Sequence, residues 1–155
     1  MKLPLREHIK QSKPFPSLEA EAYLNLIVLA QELNTPVRRV LKRSGLSLPQ
    51  YNALRILRGS HPEGLSCKEI GKRMVHHVPD VTRLLDRLEA QGLVRREREN
   101  EDRRVVRVCI TEQGLDRIAP IDQPLAEVHK ETLGHLGEEQ LRKFIGLMES
   151  ARLGL

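Results

Sequence analysis

The stretch Val78–Gly114, VPDVTRLLDRLEAQGLVRRERENEDRRVVRVCITEQG, starts with the periodicity of a helix and ends with that of a hairpin, and arginine recurs through both halves. Val81, Leu84, Leu85 and Leu88 return at the three- and four-residue spacing that gathers side chains on one helix face. Asp80, Thr82, Arg83, Asp86 and Arg87 fall on the outer side. Pro79 is acceptable in a first helical turn, where its missing N–H has no intrahelical partner, so a helix is predicted over Val78–Gln91 with Gly92 as its stop. From Leu93 the period changes. "LVRRERE" and "RVVRVCIT" mix apolar and charged residues on either side of the turn-rich "NEDR", which predicts two strands and a charged tip.

Upstream, two capping boxes mark two helix starts. Ser47 with Gln50 opens "LPQYNALRILRG", and Ser66 with Glu69 opens "CKEIGKRMV", where Ile70 and Met74 face inward. Further upstream, Ser17 caps a long helix running to Gly45, with Leu26, Ala30, Leu33 and Val37 at helical spacing. Pro36 predicts a kink in it, because it removes one donor and crowds the carbonyl a turn earlier. Its apolar residues cover more than one face, which suits packing against a second subunit as well as its own core. Downstream, Thr111 caps another long helix, disturbed at Pro120 and Pro124, and a last helix follows.

This order predicts a mainly α fold: a winged helix-turn-helix with a two- to three-stranded wing, flanked by long terminal dimerisation helices. The expected segments are an arm and dimerisation helix over 1–45, a DNA-binding module over 46–114 and dimerisation helices over 115–155. Composition agrees with a folded chain of this size: 155 residues, 39% hydrophobic, and 26 Lys and Arg against 21 Asp and Glu. A net charge of +5 suits an anionic partner without implying a general polyanion binder. In a winged helix the second helix of the pair enters the major groove and the wing reaches backbone or minor groove. Arg83, Arg87, Arg95, Arg96, Arg98, Arg103, Arg104 and Arg107 are therefore candidates for a phosphate path, and double-stranded DNA is the expected partner.

Other classes fit less well. No apolar run reaches the roughly 18 residues a membrane span needs, and the amino terminus lacks a signal-peptide pattern, so a cytoplasmic protein is expected. Cys67 and Cys109 lack CxxC spacing and read as reduced thiols. His76 and His77 are adjacent, and His129 and His135 are six apart, so neither pair has the spacing of two ligands on one helix face. No nucleophile with its base and no phosphate-cradling loop stands at recognisable spacing, and the expectation is a non-enzyme without a cofactor. Single-stranded RNA platforms want exposed aromatics, and aromatic content here is 3%. The alternatives kept open are a redox- or metal-responsive regulator and a winged helix used only for protein contacts.

The segments "LSLPQYNALRIL", "VTRLLDRLEAQGLV" and "VCITEQG", with Asp102, Arg103 and Arg104 at the wing tip, resemble the multiple-antibiotic-resistance regulator (MarR) family of bacterial transcription factors. The resemblance spans Leu46–Gly114. It implies a homodimer with one winged helix on each half of a near-palindromic operator, acting as a repressor that a small aromatic or phenolic effector releases. It further implies that Arg104 enters the minor groove and Asp102 orients it, consistent with the negative potential of a narrow groove. His77, Pro79, Asp80, Thr82, Arg83 and Arg87 complete the expected DNA-contacting set, with His77 at the start of the recognition helix. Asp80 departs from the family's small polar residue; near phosphate it repels, unless it caps the helix or accepts from a cytosine amino group. Arg87 has a second reading as a structural partner of Asp86 or Glu89. Tyr23 and Tyr51 are candidates to border the effector pocket, with core packing the plainer role.

Overall fold

The computed structural model describes residues 4–76, 78–98 and 106–155. The chain forms two compact units, one ending at Val37 and the other Arg38–Leu155. In the first, the short helix α1 (Leu5–His8) is followed by a turn in which Arg6 donates to the carbonyls of Gln11 and Ser12. Helix α2 (Leu18–Arg43) then begins where Ser17 Oγ accepts from the Ala20 N–H at 3.2 Å. It runs through Pro36 as one helix, and its last residues belong to the second unit.

The second unit carries the winged helix. Helix α3 (Leu48–Arg58) and helix α4 (Cys67–Arg73) start at capping boxes, Ser47 with Gln50 and Ser66 with Glu69, each made in both directions. Strand β1 (Leu65–Ser66), helix α5 (Val81–Ala90) and strands β2 (Val94–Arg98) and β3 (Val106–Ile110) follow. The sheet is antiparallel in the order β1-β3-β2, with Leu65 opposite Val108 and Arg96 opposite Val108 from the other side. Leu54 and Leu57 of α3, Ile70 of α4, Leu85 and Leu88 of α5, and Val108 and Ile110 of β3 are buried together with Leu41 and Leu93. Each such side chain contributes roughly 1.5 to 3 kcal/mol of burial, which locks the helix pair to the sheet.

Two glycines permit the close approaches. Gly64 has φ +69, and a Cβ there would run into Cys109 Sγ and the Val108 carbonyl, so β1 reaches β3 only because position 64 is bare. At Gly114 a Cβ would strike the Leu93 carbonyl oxygen, so the next helix lies directly on the start of the hairpin.

That next helix differs from the expected long one. Thr111 caps α6 (Glu112–Ile118) by accepting from the Gly114 N–H at 3.0 Å, but α6 stops after seven residues. A 3-10 turn containing Pro120 (Ala119–Ile121) leads into α7 (Asp122–Leu133). Proline lacks the donor that a continuous α-helix would use there, and the tighter turn absorbs the loss. Pro124 sits in the first turn of α7, where no intrahelical donor is required. A second 3-10 turn, Gly134–Leu136, precedes α8 (Gly137–Leu153).

Candidate nucleic-acid interface

The recognition helix is shorter than Val78–Gln91. Asp80 has non-helical backbone and its Oδ1 accepts from the Arg83 N–H at 2.9 Å, so the helix begins at Val81 and Pro79 precedes the cap instead of occupying the first turn. A carboxylate that satisfies an orphan N–H and the positive helix end is worth about 1 kcal/mol, enough to set the boundary. Asp80 is therefore spoken for as a cap. At the other end the helix closes through Gln91, and Gly92 takes φ +69. The segment entering α5 is fastened to α3, because Asn52 Oδ1 accepts from the Val75 N–H at 2.9 Å.

With Leu84, Leu85 and Leu88 buried, α5 exposes Thr82, Arg83, Asp86 and Arg87. The outer surface is sorted by charge. Arg83 and Arg87 lie a turn apart along one flank; Asp86 and Glu89 lie a turn apart along the other. The Arg83 side chain is 78% exposed, with only a long 4.0 Å approach of its Nε to Asp80. Arg87 makes no ion pair among the described residues, so the structural partnership with Asp86 or Glu89 is absent from this arrangement.

Those two carboxylates go to Arg96 of β2. Its Nη2 donates to Asp86 Oδ1 at 2.6 Å and its Nη1 to Glu89 Oε2 at 2.5 Å, while its backbone N–H donates to Glu89 Oε1 at 3.2 Å. The Asp86 hydrogen bond, followed by the charge of Glu89, raises the guanidinium pKa further above its ordinary value. Arg96 is thus taken out of the phosphate path expected from sequence. Arg95 is likewise engaged, with Nε 2.7 Å from Glu97, and Arg107 donates to the Gly64 carbonyl at 3.4 Å. Arg98 is exposed at the end of β2.

His77, Asp102, Arg103 and Arg104 lie outside the described residues. The two tyrosines differ in setting. Tyr23 is 63% exposed on α2, whereas Tyr51 is buried. Burial raises the Tyr51 pKa, its ring lies 6.0 Å from the Arg55 guanidinium carbon, and its hydroxyl faces Asp122. Asp122 is gripped by Arg58 through two hydrogen bonds of 2.8 and 3.1 Å, which hold its carboxyl below the usual range. Cys109 is buried, and burial pushes its thiol pKa up, as expected for a packing residue and not a reactive one. Among the described residues no three His, Cys, Asp or Glu side chains gather as a metal-ligand set, and no helix is long and apolar enough to cross a membrane.

The Arg96 clamp was missed in the sequence, although a signal existed. Val94 is buried, so strand alternation turns Arg96 toward the same side, and an arginine on an inward face needs a carboxylate.

Comparison with known proteins fits this geometry. The MarR family model matches residues 44–105. A MarR transcription factor from Planctomyces limnophilus, known as a crystal structure, is 41% identical with a TM-score of 0.66, over 88% of this chain and 98% of that one. The chain belongs to the MarR family. The HTH-type transcriptional regulator TtmR from Methylorubrum extorquens is 38% identical over 63% of this chain and 49% of its own length. For the organic hydroperoxide resistance regulator of Bacillus subtilis the figures are 33%, 63% and 65%, so the chain spans about half to two thirds of these curated relatives. S. aureus MepR in its DNA complex shares the fold, with a TM-score of 0.76, 21% identity and coverage of 86% and 97%. The three-stranded sheet and its helices are thus a MarR winged helix.

Proposed function

We propose that this MarR-family chain is a sequence-specific regulator that binds double-stranded DNA as a homodimer, most simply as a repressor released by a small aromatic or phenolic effector. The observation that carries the reading is the sorted surface of α5: Thr82, Arg83 and Arg87 stand exposed, while the carboxylates beside them are held by Arg96 of the wing strand. A helix presenting free guanidinium forks can pair bidentately with guanine edges or phosphates. Arg104, oriented by Asp102, is assigned to the minor groove, with Arg103 beside it and His77 at the entrance of the helix, on the strength of the family resemblance. Residues 46–114 form the DNA-binding module, and 1–45 and 115–155 the dimerisation segments. Exposed Leu26 and Ile27 on α2, and Ile145, Leu147 and Met148 on α8, supply apolar surface for that purpose. The exposed phenol of Tyr23 is the better placed of the two tyrosines to meet an effector, since Tyr51 is packed.

The test is binding to an operator selected from genomic fragments, compared with scrambled duplex and with RNA of the same sequence. Arg83→Ala is expected to cost about 1 to 3 kcal/mol on the operator and less on scrambled duplex. Equal losses on both would make Arg83 a phosphate ligand. A preference for RNA, or no binding to any duplex at low salt, would sink the reading.

A further inference from the structure

We propose that Arg96 is a positioning residue for DNA recognition: it ties the acidic flank of α5 to the first wing strand and so sets the orientation of Arg83 and Arg87 without touching DNA. The inference rests on the DNA-binding reading above and deepens it.

Three hydrogen bonds join the two elements. The guanidinium takes Asp86 and Glu89, and the second oxygen of Glu89 accepts the Arg96 backbone N–H. That N–H would otherwise be open, because β2 is at the edge of the sheet and Arg96 pairs only with Val108 on its inner side. Glu89 therefore covers a strand edge and holds a cation at once. The Arg96 side chain is 26% exposed, against 78% for Arg83, so the former is held and the latter presented.

Geometry and charge work together here. A helix lying on an apolar face can roll about its axis at small cost, since burial is not directional. Charged forks at fixed positions resist that roll. Asp86 and Glu89 are a turn apart, so a single planar guanidinium reaching both fixes the helix at two heights. The same contacts offset one of the two negative charges beside the surface expected to meet phosphate. Lysine, a point charge on a flexible stem, reproduces the positive charge but not the two-point hold.

Simple repulsion and positioning predict opposite outcomes for the carboxylates. The experiment compares the full-length protein with Arg96→Met, Arg96→Lys, the pair Asp86→Asn with Glu89→Gln, and the triple combination. Each is titrated against the selected operator and scrambled duplex at several salt concentrations. Positioning predicts that the carboxylate pair variant loses operator affinity tenfold or more with little change on scrambled duplex. The triple variant should be no worse than the more damaged parent, because one device has been removed twice. Arg96→Lys should keep the affinity for scrambled duplex and still lose most of the operator preference. The pair variant replaces an exposed and a half-buried carboxylate by near-isosteres and is expected to fold, so it decides the matter even if Arg96→Met does not.

Tighter binding of the pair variant to both duplexes would mean that Asp86 and Glu89 only repel, and the proposal would fall. It would also fall if Arg96→Met weakened both duplexes equally and reduced the salt slope by about one, the mark of a lost phosphate contact. Variants that all match the wild type on both duplexes would overturn the clamp alone and leave the DNA reading standing. Absence of duplex binding by the wild type would remove both.

Discussion

Asp80 shows how much one carboxylate can settle. As a bare charge near a phosphate path it is unfavourable, but as the acceptor of the Arg83 N–H it begins α5 and rigidifies the backbone of the residue assigned to base contact. Asp122 is a second case, settled by a partner distant in sequence. The Arg58 hydrogen bonds lower its pKa, so the folded state favours the ionised form. The stability this provides is present above about pH 4, the unfolded value, and is lost as pH falls through the lower folded value. Since the Asp122 side chain is 51% exposed, solvent screening limits the contribution to about 1 kcal/mol. Asp122→Asn should therefore be less stable than wild type at pH 6 by that amount in urea denaturation. The difference should close as pH falls below the unfolded value and through the lower folded one, and a gap independent of pH would show that packing, not charge, is responsible.

Among elements, those with self-contained signals were legible. Both capping boxes, the Ser17 and Thr111 caps and the hairpin stand where the sequence puts them, because each depends on residues within a few positions of one another. Of the long helix after Thr111 the sequence marked the disturbance at Pro120 but not its form, since only the turn geometry shows α6 ending at Ile118 and a 3-10 turn following it. The junction that matters most is at Gly114, where α6 rests on the Leu93 carbonyl. Gly114→Ala should destabilise the protein by about 1 to 3 kcal/mol through overpacking, although alanine favours an isolated helix. Thermal unfolding checks this directly; a neutral or stabilising effect would show that α6 can shift outward freely.

At the scale of the whole molecule, the exposed apolar residues on α8 are the main unbalanced feature. Ile145 is 48% exposed, Leu147 70% and Met148 40%, more apolar surface than a terminal helix needs in water. A homodimer covering this face predicts that Ile145→Asp with Met148→Asp gives a monomer by light scattering while the winged helix keeps its circular dichroism. Operator affinity should then fall steeply, since two half-sites would no longer be read together. A double variant that remains a dimer at micromolar concentration would place the interface elsewhere.

The sequence by itself determined the order of the main elements, the family, the capped starts of α2, α3, α4 and α6 and the buried leucines of α5, because caps and periodicity act within one or two turns of chain. It also marked which side chains carry charge. Which charges meet was decided only by the tertiary structure. Asp86 and Glu89 are near Arg87 in sequence but bind Arg96, and Arg58 reaches Asp122 across 64 positions. Ion-pair partners are selected by distance in space, and that distance exists only after the apolar faces of α3, α5 and the sheet have packed and fixed where each charged side chain emerges.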